Sequence, residues 1–135
     1  MCGNCCTGPE GVVWFSSDEG KEMAKAIGVS EGDFYRDYAR KVENRWSLRE
    51  VVIEKNGEAL HDCIFLDRTS SPGKAMCRVY LARPTQCRTW PFWPENLTSR
   101  RAWNGAKGRT PCPGMDSGTL IPIESIRVLR DQNPP

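Results

Sequence analysis

The chain has 135 residues, of which 39% are hydrophobic and 27% charged, and its formal net charge is +2. This composition is typical of folded globular proteins and excludes disorder for the chain as a whole. No apolar run approaches the roughly 18 residues that a membrane-spanning helix needs, and residues 1–6 lack the basic stretch and apolar core of a secretory signal. We therefore expect a single domain over residues 1–135, located in the cytoplasm and without a membrane partner.

The first third of the chain predicts one strand and two short helices. Residues 12–15 form an apolar run that suits a strand. Ser16 and Glu19 have the spacing of a capping box, and the helix that they begin is expected to end at Gly28. Ser30 precedes a second helix, whose apolar positions are Phe34, Tyr35, Tyr38 and Val42.

A β-hairpin is predicted next. Residues 46–54 and 59–66 are rich in strand-forming side chains, and Asn56 and Gly57 lie between them. Asn-Gly is a strong hairpin signal, because both central residues of a type I′ turn need positive φ. The second strand of this hairpin carries Cys63.

Residues 77–113 contain many prolines and tryptophans without periodicity, which predicts an irregular segment. About 35 residues without helix or strand are uncommon in a compact domain unless something else organises them, and a metal would do so. A last helix is expected over residues 122–130, with Ile123, Ile126 and Leu129 on its apolar side. The predicted fold is thus α+β: short helices, a β-hairpin and a long irregular segment organised around a cysteine-ligated metal site.

The seven cysteines are the most informative feature of the composition. An odd number cannot pair completely, and cytosolic thiols stay reduced, so metal binding or redox chemistry is favoured over disulfides. One alternative is that they are small buried hydrophobic residues. Another is a thiol oxidoreductase, although adjacent cysteines are a poor redox pair. The spacing favours metal, and the predicted ligands are Cys2, Cys5, Cys6, Cys63, Cys77, Cys87 and Cys112.

Three of these thiols fall within five residues, in the sequence Cys2-x-x-Cys5-Cys6. A Cys-x-x-Cys pair in a tight turn lets two sulfurs reach one ion, and Gly3 lets the backbone curl. Zinc suits closed thiolate sites, whereas Cys-x-x-Cys together with a proline beside a cysteine also suits a [4Fe-4S] cluster. His61 could supply a further ligand, or it is simply a partly exposed strand residue.

The positive charge is concentrated in residues 74–109, whose net charge is +7. Arg78, Arg83 and Arg88 lie beside or between Cys77 and Cys87, where they could compensate thiolate charge or bind a carboxylate such as Asp67. A solvated basic surface is an equally simple interpretation. A nucleic-acid surface is less favoured, because the tryptophans that would stack on bases are more typical of rigid core; these are Trp90, Trp93 and Trp103.

Taken in order, these cysteine segments resemble the YkgJ-type cysteine-cluster family, a zinc- or iron-chelating domain named for a CxxxCxxCC motif. The resemblance rests on residues 2–6, 63–67, 77–80, 83–84, 87–92 and 112–114. It implies that the cysteines gather around metal and that residues 83–84 and 90–92 shape the binding loop. The first cysteine of the motif would precede Met1, so either the natural start lies upstream or the site works with seven thiols.

Two functions remain open at this point. The first is a metal-binding protein that holds zinc or iron, with a [4Fe-4S] cluster slightly favoured, and whose site organises the fold. The second is an iron-sulfur enzyme related to the flagellin lysine N-methylases, a resemblance that implies use of S-adenosylmethionine. No glycine-rich nucleotide loop or Ser-His-Asp pattern supports catalysis, so whether the protein is an enzyme stays open. A protein partner is possible under both interpretations.

Overall fold

The computed structural model describes residues 2–133 and divides the chain into two compact units, one ending at Pro84 and the other beginning at Thr85. The predicted mixture of helices and strands is confirmed. In chain order the elements are α1 (Ser17–Ile27), α2 (Glu31–Tyr38), β1 (Ala39–Val42), β2 (Arg45–Leu48), β3 (Glu50–Lys55), β4 (Glu58–Cys63), β5 (Leu66–Asp67), β6 (Met76–Cys77), α3 (Thr85–Thr89), α4 (Arg100–Arg109) and α5 (Ile123–Asp131). No helix within residues 2–133 is long and apolar enough to cross a bilayer.

Both predicted N-terminal helices are present, with the predicted caps. The hydroxyl of Ser16 accepts from the Glu19 N–H over 3.2 Å, and the Glu19 carboxylate accepts from the Ser16 N–H over 2.8 Å. This reciprocal pair satisfies two backbone N–H donors at the start of α1 that would otherwise have no acceptor in the helix. Gly28 ends α1 in the left-handed region, with φ of 73°. The hydroxyl of Ser30 caps α2 by accepting from the Asp33 N–H.

The second helix is shorter than predicted, and the prediction of a strand over residues 12–15 is wrong. Helix α2 ends at Tyr38, and Val42 lies in β1, where it pairs with Arg45. A tight turn with positive φ at two non-glycine residues, Glu43 and Asn44, makes this hairpin possible. Within residues 12–15 the structure forms only one isolated bridge, between Trp14 and Ser47.

The Asn-Gly hairpin is confirmed. Strands β3 and β4 are antiparallel with Glu50 opposite Cys63 at the open end, and the turn residues Asn56 and Gly57 have φ of 55° and 79°. The predicted first strand over residues 46–54 is instead shared between β2 and β3, which belong to separate two-stranded sheets. Strands β5 and β6 form a third pair that places Leu66 opposite Cys77.

An aromatic stack forms the core of the first unit. Phe34 and Phe65 are fully buried with ring centroids 6.4 Å apart, and Tyr38 stacks on Phe65 at 5.2 Å. Burying a large apolar side chain stabilises a fold by ~1.5–3 kcal/mol. Because the carbonyl of Phe65 also accepts from the Arg78 N–H over 2.9 Å, the same core fixes the backbone beside Cys77.

The second unit is more helical than predicted. The irregular segment expected over residues 77–113 includes β6, α3 and the ten-residue helix α4, so that prediction is wrong in part. The hydroxyl of Ser99 caps α4 by accepting from the Ala102 N–H over 3.0 Å. The last helix is confirmed as α5, and Ile126 and Leu129 are its half-buried apolar positions.

Candidate metal centre

All seven predicted ligands lie among the described residues and carry thiols rather than disulfides. Five belong to the first unit and two to the second, so the two sets are described separately. The first-unit cysteines are Cys2, Cys5, Cys6, Cys63 and Cys77, and the second-unit cysteines are Cys87 and Cys112.

The turn that holds Cys5 and Cys6 is shaped by the residue in front of it. Gly3 has φ of 70°, a conformation that side chains disfavour, and its Cα faces Ala75 so closely that an added Cβ would lie 2.6 Å from the Ala75 Cβ. The Gly3 carbonyl accepts from the Cys6 N–H over 2.9 Å and closes a 3₁₀ turn over Asn4–Cys6. The turn places the two Sγ atoms 3.7 Å apart.

Two further thiols lie close to this turn. The Cys63 thiol has its pKa raised to about 11, mainly by burial and also by the nearby thiols of Cys77 and Cys5. Burial likewise raises the pKa of the Cys77 thiol, with Cys5 contributing. The charge of Cys5 thus acts on both of these thiols, and the charge of Cys77 acts on Cys63.

The turn is tied to strand β4 by hydrogen bonds. The Gly8 carbonyl accepts from the His61 N–H over 2.7 Å, and the Thr7 hydroxyl donates to the Asp62 carboxylate over 2.5 Å. The segment that follows Cys6 is therefore fixed against the strand that ends in Cys63.

A cleft of about 110 Å³ separates the turn from the hairpin. Three cysteines line it, Cys5, Cys6 and Cys63, together with His61 and Glu50. Cys77 is not among the described residues that line this cleft. Its side chain instead borders a separate hollow, which is lined by residues of α1 and of the segment after β6.

Arginine side chains provide positive charge beside the thiols. A hydrogen bond with the Cys6 side chain is the main cause that lowers the pKa of Cys5 to about 6, and the charge of Arg83 lowers it further. The proximity of Arg83 to Cys5 and Cys77 agrees with the predicted compensation of thiolate charge. Arg68, which the sequence did not single out, lies close enough to Cys6 that this thiolate contributes to raising its pKa, after Asp62.

Asp67 does not have the predicted role of an arginine partner. Its carboxylate accepts from the N–H groups of Thr69 and Ser70, and such bonds in its own turn, with the Ser70 side chain first, lower its pKa. In the same region, the Asp62 carboxylate binds an arginine, Arg68. The sequence analysis indicated Asp67 and not Asp62, because a pair that forms across a turn leaves no local pattern in the sequence.

Within residues 2–133, no three His, Cys, Asp or Glu side chains are already arranged so that they could hold a metal ion. The donor chemistry nevertheless fits one. Two sulfurs bound to the same ion at ~2.3 Å in a tetrahedron are ~3.8 Å apart, which matches the 3.7 Å between Cys5 and Cys6. The pair can therefore bind one ion without moving apart.

Of the two cysteines in the second unit, Cys112 lies beside aromatic side chains. Cys87 lies on α3, and Cys112 borders a cavity of about 690 Å³ that is also lined by Phe92 and Trp103. The rings of Trp90 and Trp93 meet edge to face at 4.7 Å, and those of Phe92 and Trp103 stack at 6.0 Å. These half-buried rings pack on one another.

Comparison with known families gives one match. The family model CxxCxxCC, described as "Putative zinc- or iron-chelating domain", matches residues 1–113, which include all seven cysteines. No solved structure matches the chain.

Proposed function

The chain belongs to the CxxCxxCC family, and we propose that it binds a single zinc or iron ion in its first unit through the thiolates of Cys5, Cys6 and Cys63. The family supports chelation of zinc or iron in general. The cleft that these three cysteines line supports the choice of ligands.

The distance between Cys5 Sγ and Cys6 Sγ is the observation that carries the proposal. At 3.7 Å it is close to the ~3.8 Å edge of a thiolate tetrahedron around one ion. In a [4Fe-4S] cluster each cysteine binds a different iron, which holds the ligand sulfurs farther apart. The geometry therefore favours a mononuclear centre over the cluster that the sequence slightly favoured.

The centre would connect parts of the chain that are distant in sequence. Cys5 and Cys6 lie on the N-terminal turn, whereas Cys63 ends the hairpin. Because the free energy of metal binding is coupled to folding, an ion shared by these segments would stabilise the first unit as a whole. Two described residues could complete the coordination: His61, which lines the same cleft, and Cys77, whose charge acts on Cys63.

The other four cysteines remain proposed ligands. The resemblance assigns every cysteine to metal, which includes Cys2 and Cys77 in the first unit and Cys87 and Cys112 in the second. Their roles do not affect the argument for the centre formed by Cys5, Cys6 and Cys63.

The test is metal and acid-labile sulfide analysis on protein purified without oxygen. We expect zinc or iron bound without sulfide, and loss of one ion per chain in Cys6→Ser. Met76→Ser is the matched control, because it removes an exposed sulfur next to Cys77 that the proposal does not use. Full metal content in a folded Cys6→Ser protein would contradict the proposal, and sulfide equimolar with iron would replace it with the cluster.

A further inference from the structure

The strand that carries Cys63 also carries the one histidine of the chain. Along a strand, side chains two residues apart point to the same face. His61 and Cys63 are such a pair on β4, and both line the cleft that the N-terminal thiols share. The imidazole is only partly exposed, at 27%.

The carboxylate of Glu50 lies beside the imidazole of His61. Glu50 is 16% exposed, its Oε1 accepts from the Gly11 N–H over 2.9 Å, and its Oε2 lies 3.2 Å from His61 Nδ1. Arg40 is the next cation, with Nη2 3.7 Å from the same oxygen. The Gly11 bond holds this carboxylate in place beside the ring.

The Oε2 atom of Glu50 is buried, yet within the described part of the chain no donor meets it with hydrogen-bond geometry. A buried acceptor without a donor is an unfavourable arrangement. A small rotation of the imidazole would bring its Nδ1–H onto Oε2 and leave Nε2 with its lone pair available to a ligand. Metal-binding histidines commonly have this second partner, because it fixes the tautomer and the ring orientation.

We propose that His61, positioned by Glu50, is the fourth ligand of the metal ion, which makes the centre a three-cysteine, one-histidine site with Cys5, Cys6 and Cys63. This inference rests on the proposed function and specifies its donor set. Three thiolates and one imidazole are an established ligand set for Zn²⁺.

The position of Cys77 supports the same choice. Cys77 interacts through its charge with Cys63 and Cys5. It nevertheless borders a different hollow, which Tyr80 and Lys25 also line. A centre with His61 in place of Cys77 also carries one less negative charge, which lowers the compensation required from the nearby arginines.

Cobalt(II) is a suitable probe, because its d–d bands report the donor set and its thiolate-to-cobalt charge-transfer band grows with the number of bound thiolates. We expect His61→Cys to raise the charge-transfer intensity by about a third, as three thiolates become four. His61→Ala is expected to weaken cobalt binding and to shift the d–d bands. Glu50→Gln is expected to keep the bands and weaken binding by about 10–100-fold.

Cys77→Ser is the discriminating control, and we expect it to retain the wild-type spectrum. If His61→Ala keeps the wild-type bands while Cys77→Ser loses a quarter of the charge-transfer intensity, Cys77 is the fourth ligand and the inference is overturned, although the proposed metal centre stands. If the wild-type protein binds no cobalt, the proposed centre itself falls.

Discussion

The guanidinium group of Arg68 donates two hydrogen bonds to the carboxylate of Asp62, from Nε over 2.7 Å and from Nη2 over 2.9 Å. The Asp62 side chain is only 6% exposed, and the Thr7 hydroxyl donates to the same carboxylate. One buried anion thus fixes the residue after Cys6, the residue before Cys63 and the chain that follows β5. The network holds the two cysteine-bearing segments beside each other.

We predict that Arg68→Met lowers the free energy of unfolding by ~1–2 kcal/mol. The substitution leaves the Asp62 carboxylate with Thr7 as its remaining partner in this network, and a lost hydrogen bond to a charged group costs ~1.5–3 kcal/mol before allowance for the partial exposure of Arg68. Urea unfolding of metal-free and metal-loaded protein measures the change. Arg130→Met is the control, because its pair with Asp131 is exposed and its loss should leave the unfolding midpoint unchanged.

The same pair predicts a pH dependence. The hydrogen bonds from Arg68 lower the pKa of Asp62 below that of an unfolded aspartate, ~3.9. Its stabilising contribution is therefore complete above pH ~4 and is lost as the pH falls through the lower folded pKa. The difference in stability between wild type and Arg68→Met should shrink below pH ~4, and a difference that stays constant to pH 2 would assign the effect to packing.

A second prediction concerns the backbone in front of Cys5. Gly3→Ala introduces a Cβ at φ of 70° and 2.6 Å from the Ala75 Cβ. The conformation alone costs ~1–2 kcal/mol, and the overlap with Ala75 adds ~1–3 kcal/mol. We expect a large loss of thermal stability together with weaker zinc binding, since the turn sets the spacing of the Cys5 and Cys6 sulfurs.

Two variants separate these contributions. Gly73→Ala is the matched control, with φ of 74° and open space where its Cβ would lie, so it should show the conformational cost alone. Combining Gly3→Ala with Ala75→Gly removes the overlap and should recover most of the stability and the zinc affinity. Failure of this rescue would show that the turn does not depend on the approach to Ala75.

The features that the sequence predicted well are those encoded by neighbouring residues. The capping box at Ser16, the cap at Ser30 and the Asn56–Gly57 turn each act within four residues, so the pattern is present in the sequence itself. The family resemblance is likewise confirmed, because the order and spacing of the cysteine segments are specific.

The features that the sequence did not predict depend on partners distant along the chain or on weak local patterns. Nothing in the neighbourhood of Arg68 indicates that it binds Asp62 rather than facing solvent. Helix α4 was missed because Gly105 and Gly108 each lower helix propensity by ~1 kcal/mol relative to alanine. The β1–β2 turn was missed because Glu43 and Asn44 adopt positive φ without a glycine.

The cap of α4 gives a third prediction. The Ser99 hydroxyl accepts from the Ala102 N–H, and Ser99→Ala should destabilise the second unit by ~1 kcal/mol. Ser99→Asp is expected to preserve stability, because aspartate caps equally well and its charge is favourable at a helix N-terminus. Circular dichroism during thermal unfolding measures both, and equal melting temperatures for Ser99→Ala and wild type would contradict the role of the cap.

The reactivity of Cys5 gives a fourth prediction, for the metal-free protein. The thiolate is the reactive form of cysteine, and the pKa of Cys5 is about 6 whereas burial raises that of Cys63 to about 11. Iodoacetamide should therefore alkylate Cys5 with a midpoint near pH 6 and leave Cys63 unmodified at pH 7. In urea-unfolded protein, the midpoint should move to the ordinary value of ~8.5. Mass spectrometry of digested samples follows each thiol separately.

The relative size of the causes that lower the Cys5 pKa predicts which substitution shifts the alkylation midpoint more. The hydrogen bond from Cys6 is the larger cause, so Cys6→Ala should raise the midpoint more than Arg83→Gln does. Both shifts are upward, because each substitution removes a group that stabilises the thiolate. Zinc should protect Cys5 in the wild type by occupying its lone pair. A folded-state midpoint near 8.5 would contradict the lowered pKa of Cys5, and Cys5 alkylation that zinc leaves unchanged would contradict the assignment of Cys5 to the metal centre.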